Sequence, residues 1–401
     1  MPKLFLLLLL AGIALPVLAE KDAAVSKVTV AQLEQTLAAT RGKPDADVAK
    51  QLSGLELTER MNSAKLARWK AAMPGDKARE QLLILADSAA FLAPPIAEIP
   101  AYPTPDPAAT RQMLTQVVNY VNTTARQLPN FIAERGTTGF EDKPQENELG
   151  ATGITSTAAM PLHAVGKSRV TVTYRDHKEI VDEKALKHNT HIGGLVTSGE
   201  FGPILIQVTT DVLQGKITWS RWEQGADGKE GVFHYTVPSG KSHYLVQFCC
   251  YVDGYNSDGS AISRVFKETA GYQGEVTFDP ASGAILRITM EAELPAGELV
   301  SKSDIMVEYS SVEIGGQKFI CPVKSVSILM AHTAQQTGMY SRSNYRGPAK
   351  TYLNDVEFSQ YRRFGTESRI LTGDNLDPNM PSGPASADTA GSNPNRGAAT
   401  H

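Results

Sequence analysis

Two histidines have a spacing that can serve metal chemistry. His188 and His191 stand three residues apart and follow Asp182 and Glu183. On a helix, this spacing would bring both imidazoles to one metal ion. A zinc site needs a third protein ligand, which the sequence does not identify, and the Gly–Gly pair after His191 favours a turn. We therefore expect neither a metal site nor a cofactor.

The three cysteines are the next candidates for chemistry. Cys249 and Cys250 are adjacent, so on a strand they point to opposite faces, and Cys321 stands alone. In an exported protein such thiols tend to pair, and we predict a Cys250–Cys321 disulfide on the apolar face of a sheet. A Cys249–Cys321 bond and buried free thiols are the alternatives. A redox enzyme would more often carry a Cys-x-x-Cys motif, which the sequence lacks.

Six aromatic residues fall on neighbouring predicted strands. They could line a cavity for an apolar ligand, since such cavities are built from hydrophobic and aromatic side chains. They could equally form the core of a sheet, because aromatic residues on strands normally serve packing. The set is Trp219, Trp222, Phe233, Tyr235, Tyr244 and Phe248.

The common catalytic motifs are missing from the sequence. It has no Gly-x-Ser-x-Gly, His-Glu-x-x-His or Ser-x-x-Lys motif, and no phosphate-binding glycine loop. The 39 lysine and arginine residues are balanced by 43 acidic ones, for a net charge of −4. This balance argues against a nucleic-acid partner, which requires a concentrated basic surface. We expect a binding protein rather than an enzyme.

The first residues have the features of a secretory signal peptide. Lys3 precedes an apolar run that ends near Leu18, and Val17 and Ala19 place small residues at the cleavage positions. We therefore predict that residues 1–19 are removed and that the mature chain is periplasmic or extracellular. The run is shorter than the roughly 20 residues of a membrane-spanning helix. The mature chain contains no other stretch that is long and apolar enough to span.

Residues 28–128 are predicted to be helical. Thr29 and Gln32 form a capping-box pair, Asp45 is expected to cap a second helix, and Asp106 before Pro107 is typical of the start of another helix. Apolar residues recur at helical spacing between these points, which indicates amphipathic helices that pack on one another. Proline is concentrated in residues 93–107, so we predict an extended connector there.

Residues 129–371 are predicted to form an antiparallel β domain. Apolar residues alternate along several segments, and short turns such as Gly225–Gly228, Asp279–Gly283 and Gly315–Gly316 join them. Consecutive strands joined by short turns form a meander. Residues 140–166 have no sustained period and are predicted to be a flexible loop, and residues 372–401 a disordered tail.

The alternation of apolar residues changes phase after Ser310 and again after Val323. Because side chains alternate between the two faces of a strand, a change of phase indicates a bulge or a bend. Long bulged strands are typical of a curved sheet. The fold class is therefore predicted to be α+β, with N-terminal helical hairpins followed by a large, strongly curved antiparallel sheet, or half-barrel.

Three C-terminal segments follow in the order GEVTFDPASGAILRITMEAELP, DIMVEYSSVEIGGQKFICPV and NDVEFSQYRRFGTES, and LPNFIAERGT stands at the junction with the helices. This pattern resembles a group of secreted bacterial proteins, many of them acidobacterial. Their sheet is similar to that of the LolA and LolB lipoprotein carriers and the sensor RseB. The resemblance covers residues 45–139 loosely and residues 270–368 better. It implies a LolA-like curved sheet around an apolar interior, and a periplasmic role.

Two functions are consistent with these features. In the first, the sheet holds an apolar ligand, either a lipid or lipoprotein acyl chain or a hydrophobic segment of a partner. In the second, the protein's own side chains fill the sheet, and the protein is a structural or signalling module that contacts an envelope protein. The interior of the sheet distinguishes the two, because the first requires an apolar cavity of roughly 300 Å³ or more.

Overall fold

The protein has an α+β fold, in which N-terminal helices precede a ten-stranded antiparallel sheet. The computed structural model describes residues 25–123, 128–145, 147–150, 153–156, 158–176, 178–181, 195, 203–226, 228–256, 258, 260–334 and 346–364. All of them belong to the compact unit 1–364. The predicted signal peptide (1–19) and disordered tail (372–401) lie outside the described residues.

In the part of the chain that the structure describes, five α-helices precede the sheet and a sixth lies among the strands. Two short strands between the first helices pair in parallel. The helices are α1 (Val30–Ala39), α2 (Asp45–Ser53), α3 (Ser63–Ala72), α4 (Asp76–Ser88), α5 (Pro107–Thr123) and α6 (Pro203–Val212), and the paired short strands are β1 (Ser26–Val28) and β2 (Leu55–Leu57).

Local hydrogen bonds explain where these helices begin. Thr29 and Gln32 form the predicted capping box, and the Asp106 carboxylate accepts the backbone N–H groups at the start of α5. Asp45 differs from its prediction. It is the first residue of α2, and its carboxylate accepts the N–H groups of Lys77 and Ala78 at 3.1 and 2.9 Å. Asp45 therefore caps α4, whose own N-cap residue is a glycine without a side chain.

The remaining strands follow α5. Gly225 donates its N–H to the Gly228 carbonyl in the first predicted turn, and Gly283, Gly315 and Gly316 have positive φ in the other predicted turns. The strands are β3 (Phe131–Lys143), β4 (Asn147–Gly150), β5 (Gly153–Ser156), β6 (Met160–Arg175), β7 (Lys178–Val181), β8 (Lys216–Gln224), β9 (Lys229–Val237), β10 (Leu245–Tyr255), β11 (Ala261–Thr269), β12 (Gly271–Phe278), β13 (Ile285–Glu293), β14 (Val300–Ile314), β15 (Gln317–Ala334) and β16 (Arg346–Arg363).

The main sheet has the strand order β7-β6-β3-β16-β15-β14-β13-β12-β9-β8. Most neighbours are consecutive in the chain, as a meander requires, but the last strand lies between β3 and β15. The edge strands β7 and β8 lie at opposite ends of this order, so the sheet is open, and it is not strongly curled. The predicted half-barrel curvature is therefore not seen.

Two segments differ from their predictions. The predicted strand that carries Phe248 is β10, which pairs with β11 in a separate two-stranded ribbon and not with the main sheet. Residues 140–166 were predicted to be one loop. The described part of this segment instead contains the ends of β3 and β6 and the β4–β5 hairpin, and Phe140 is buried.

The change of phase after Val323 in the sequence corresponds to a bulge in the structure. Glu308 pairs with Lys324 and Tyr309 pairs with Pro322, so Val323 is the extra residue of β15. Further register shifts occur between β15 and β16 and between β16 and β3.

Both faces of the sheet are covered over much of their area. On one face, α1 to α4 pack on residues such as Met306, Val326 and Leu353. On the other face, α5 and α6 pack on β9, β12 and β13. Neighbouring residues such as Met306 and Val307 enter opposite cores, as the pleat requires. The sheet is thus the middle layer between two helical layers.

Candidate functional site

A buried triad of charged side chains joins the helices to the sheet. The Lys324 ammonium on β15 lies 2.8 Å from an oxygen of Asp87 on α4 and 2.8 Å from an oxygen of Asp355 on β16. All three residues are buried. The second oxygen of Asp87, Oδ2, has no hydrogen-bond partner among the described residues. The triad therefore holds two carboxylates for one cation, away from water.

Burial sets the protonation of this triad. Desolvation raises the pKa of Asp87 to about 7, against the lowering effect of Lys324 and with a further increase from Asp355 and Glu308. Burial by itself would lower the pKa of Lys324, but Asp87 and Asp355 outweigh that effect and raise it. Lys324 is therefore charged, while Asp87 takes up a proton close to neutral pH.

This shift predicts a stability that falls as the pH rises. The folded Asp87 binds a proton up to about pH 7, whereas an unfolded aspartate releases it near pH 4. The contribution of Asp87 to the free energy of unfolding is therefore greatest below about pH 4 and decreases as the pH rises to about 7. We expect the stability difference between wild type and Asp87→Asn, measured by urea unfolding, to decrease over this range by a few kcal/mol at most.

A matched control is Asp47→Asn, which makes the same charge change on the exposed side of α2. Its difference from wild type should not follow the same curve. A pH-independent difference for Asp87→Asn would contradict the raised pKa.

A second charged cluster ties the same helical layer to β8, β12 and β13. Arg221 binds Glu275 at 2.6 Å and Glu223 at 2.6 Å, and Arg60 of the α2–α3 segment also bonds to Glu223. Arg287 on β13 is buried and donates to the backbone carbonyl of Ala90. Burial, together with nearby Arg60, lowers the pKa of Arg287 to about 10. These groups fix where the helices rest on the sheet.

An open groove runs beside the triad, between α3–α4 and the sheet. It consists of two adjoining hollows of about 350 and 600 Å³, to which Asp355 and Lys324 contribute. The floor comes from five adjacent strands, β14, β15, β16, β3 and β6. The short side chains of residues such as Gly136, Thr138 and Ser168 leave open space above this floor.

Charged residues of both signs line the groove. Each of four cations has a carboxylate partner within hydrogen-bonding distance, and most of these side chains are well exposed. The pairs are Lys70–Glu357 at 2.6 Å, Arg79–Asp76 at 2.9 Å, Lys167–Glu80 at 2.9 Å and Arg169–Glu134 at 3.1 Å. The groove is therefore polar and nearly balanced in charge.

The six aromatic residues lie in or against the core under α5 and α6. Phe233 stacks on Phe278 with ring centroids 5.0 Å apart, and Trp219 packs edge-on against Trp222 and Phe233. Tyr235 and Tyr244 both contact the ring of Tyr272, and Phe248 packs against Tyr352.

The polar side-chain atoms of Trp222, Tyr235 and Tyr244 also have hydrogen-bond partners. The Tyr235 hydroxyl donates to the Thr289 carbonyl at 2.6 Å, and Trp222 donates to the Pro103 carbonyl at 2.9 Å. Burial raises the pKa of Tyr235 well above its usual range and that of Tyr244 as well. The structure thus brings the six residues together through contacts with the protein's own side chains and backbone.

The predicted disulfide is not formed. Cys321 is a free, fully buried thiol on β15, and burial raises its pKa to about 12. Its backbone pairs with Ser310 in the main sheet, whereas Cys250 belongs to the β10–β11 ribbon. The prediction placed both cysteines on one apolar face, but their strands belong to different sheets.

The histidine pair and its acidic neighbours, residues 182–191, lie outside the described residues. Within the described part of the chain, no group of three or more His, Cys, Asp or Glu side chains is arranged to hold a metal ion. No helix in that part combines the length and apolar character needed to cross a membrane.

The sequence reasoning missed the triad and the groove. One signal was present, because Leu82–Ala86 in α4 is apolar on every side and is followed directly by Asp87. A helix that is apolar all round is buried all round, so an aspartate at its end requires a buried partner. Nothing in the sequence identifies Lys324, more than two hundred residues later, as that partner.

Comparisons with known proteins do not assign this chain to a family. No protein-family model matches the chain, and no curated protein matches it. A solved structure, the in-vitro folded trimer form of OmpT, an outer membrane protein of Vibrio cholerae, aligns at 9% identity with a TM-score of 0.11. The alignment covers 58% of this chain and 100% of that one. Similarity at this level carries no argument about fold or function.

Proposed function

We propose that the protein is a non-enzymatic interaction module of the bacterial envelope, exported by its signal peptide, with a sheet filled by its own side chains. The packing of the six aromatic residues is the observation that supports this most directly. Phe233 and Tyr235 are at most 1% exposed, and their contacts are with other core rings and backbone groups. Side chains in such an environment serve stability, while binding is left to the surface.

The similarity of the sheet to LolA, LolB and RseB remains part of this proposal. The antiparallel pairing and the register shifts along β14, β15 and β16 support it, whereas the strong curvature that the resemblance implies is not seen. A role as a carrier of lipid or lipoprotein acyl chains would instead require these strands to enclose an apolar ligand. The charged groove has a different chemistry, because ion pairs line it.

The test combines lipid analysis with crosslinking in cells. Protein purified from its own envelope is extracted with organic solvent and analysed by mass spectrometry, and we expect less than stoichiometric lipid. Photo-crosslinking residues at Ser168 and at Gly240 sample the groove and a distant exposed turn. We expect at least one position to yield a discrete adduct with an envelope protein. Stoichiometric lipid, with no protein adduct from either position, would overturn the proposal.

A further inference from the structure

The groove crosses the sheet at right angles to its strands, and its length limits what it can hold. Five adjacent strands form the floor, and strands lie about 4.8 Å apart, so the floor spans roughly 19 Å. An extended chain advances about 3.3 Å per residue, so this distance corresponds to roughly six residues. A single small metabolite would occupy only part of it.

The charges of the groove also limit the class of partner. Nucleic acids and anionic membrane surfaces need an excess of positive charge. Here the cations of the groove, Lys70, Arg79, Lys167 and Arg169, each have an acidic partner. A partner with only one sign of charge would bind half of these groups and repel the other half.

The existing ion pairs can be exchanged for intermolecular ones with little loss of stability. Side-chain exposures in three of the pairs are 41% and 81% for Arg79–Asp76, 59% and 27% for Lys167–Glu80, and 74% and 24% for Arg169–Glu134. Exposed pairs of this kind contribute little to stability. An incoming segment with acidic and basic side chains could replace each internal pair with an intermolecular one. The buried Lys324 triad, in contrast, holds the inner wall in place.

We propose that this groove binds an extended polypeptide segment of roughly six residues that carries charges of both signs. The proposal rests on the function proposed above and specifies its contact surface. It rests on three observations, namely the five-strand floor, the exposed ion pairs along it, and the low floor at Gly136.

Gly136 allows the groove to be filled without disturbing the fold. Its φ is not positive, and a Cβ placed there would have the Glu357 carbonyl oxygen as its nearest neighbour at 3.9 Å, an ordinary contact. Gly136→Phe would therefore place a ring on the floor of the groove. Gly240→Phe is the matched control, because a Cβ at Gly240 meets nothing within 4 Å and the residue lies outside the groove.

The experiment selects peptides from a phage-displayed random heptapeptide library on the full mature chain, with Gly136→Phe for counter-selection. We expect the enriched peptides to contain both acidic and basic residues. A fluorescent copy of an enriched peptide should bind at least tenfold more weakly to Gly136→Phe and to Arg169→Glu, and equally well to Gly240→Phe. Thermal unfolding of each variant shows whether it is folded.

Two results of the peptide selection would overturn this inference. One is that no peptides are enriched on the wild type relative to the folded Gly136→Phe variant. The other is that the enriched peptides are uncharged or carry only one sign of charge. Adducts from Gly240 but not from Ser168 in cells would also overturn the groove as the contact surface, while the interaction module proposed above would stand.

Discussion

Lys324→Met should lower the free energy of unfolding by about 3–5 kcal/mol at pH 8, because it leaves two buried carboxylates without their cation. Both oxygens that contact the Lys324 ammonium lie at 2.8 Å, and the surrounding residues exclude water. The loss should be smaller at pH 5, where the Asp87 carboxyl of the folded protein takes up a proton. Urea unfolding followed by tryptophan fluorescence measures both values.

Lys318→Met is the matched control, because Lys318 is an exposed residue of the same strand. Its effect should stay within about 0.5 kcal/mol. A triple variant, Asp87→Leu with Lys324→Met and Asp355→Leu, should regain most of the loss, since apolar residues can replace a complete buried charged group. If Lys324→Met is as stable as Lys318→Met at pH 8, the triad does not hold the helices to the sheet.

Phe233→Ala should lower the free energy of unfolding by about 3–5 kcal/mol, as is typical of a large core residue replaced by alanine. Phe233 is 1% exposed, stacks on Phe278 and also touches Trp219. The same measurement separates the two interpretations of the aromatic set. A residue that lines a ligand cavity would lose binding on truncation while much of the stability remained.

The control for this prediction is Val265→Ala on β11, where the side chain is 52% exposed. Its effect should stay below about 1 kcal/mol. A Phe233→Ala protein with wild-type stability would remove the main support for a filled sheet, and the apolar-ligand function would then become the better explanation.

Local features of the fold were predictable because nearby residues determine them. The Thr29 capping box, the Asp106 cap and the Asp279–Gly283 turn each depend on side chains within a few positions of one another. The bulge at Val323 was also predicted, since the change of phase is itself the pattern that a bulge leaves in a sequence.

Features that depend on distant contacts were not predictable. Asp45 suits the start of its own helix, but α4 lies beside it in the fold and takes its carboxylate. Leu92 continues the apolar period of α4, yet the helix ends at Ser88 and Leu92 is 40% exposed. The groove was not predictable for the same reason, because its walls and floor come from elements that are far apart in the chain.

The position of β16 has a consequence for how the chain is produced. This last strand fills the gap between β3 and β15, so it completes a sheet that was begun more than two hundred residues earlier. Contacts of such long range form late in folding. The centre of the sheet can therefore close only after β16 has been synthesised, and until then the edges of β3 and β15 that face it are unpaired and need protection from aggregation.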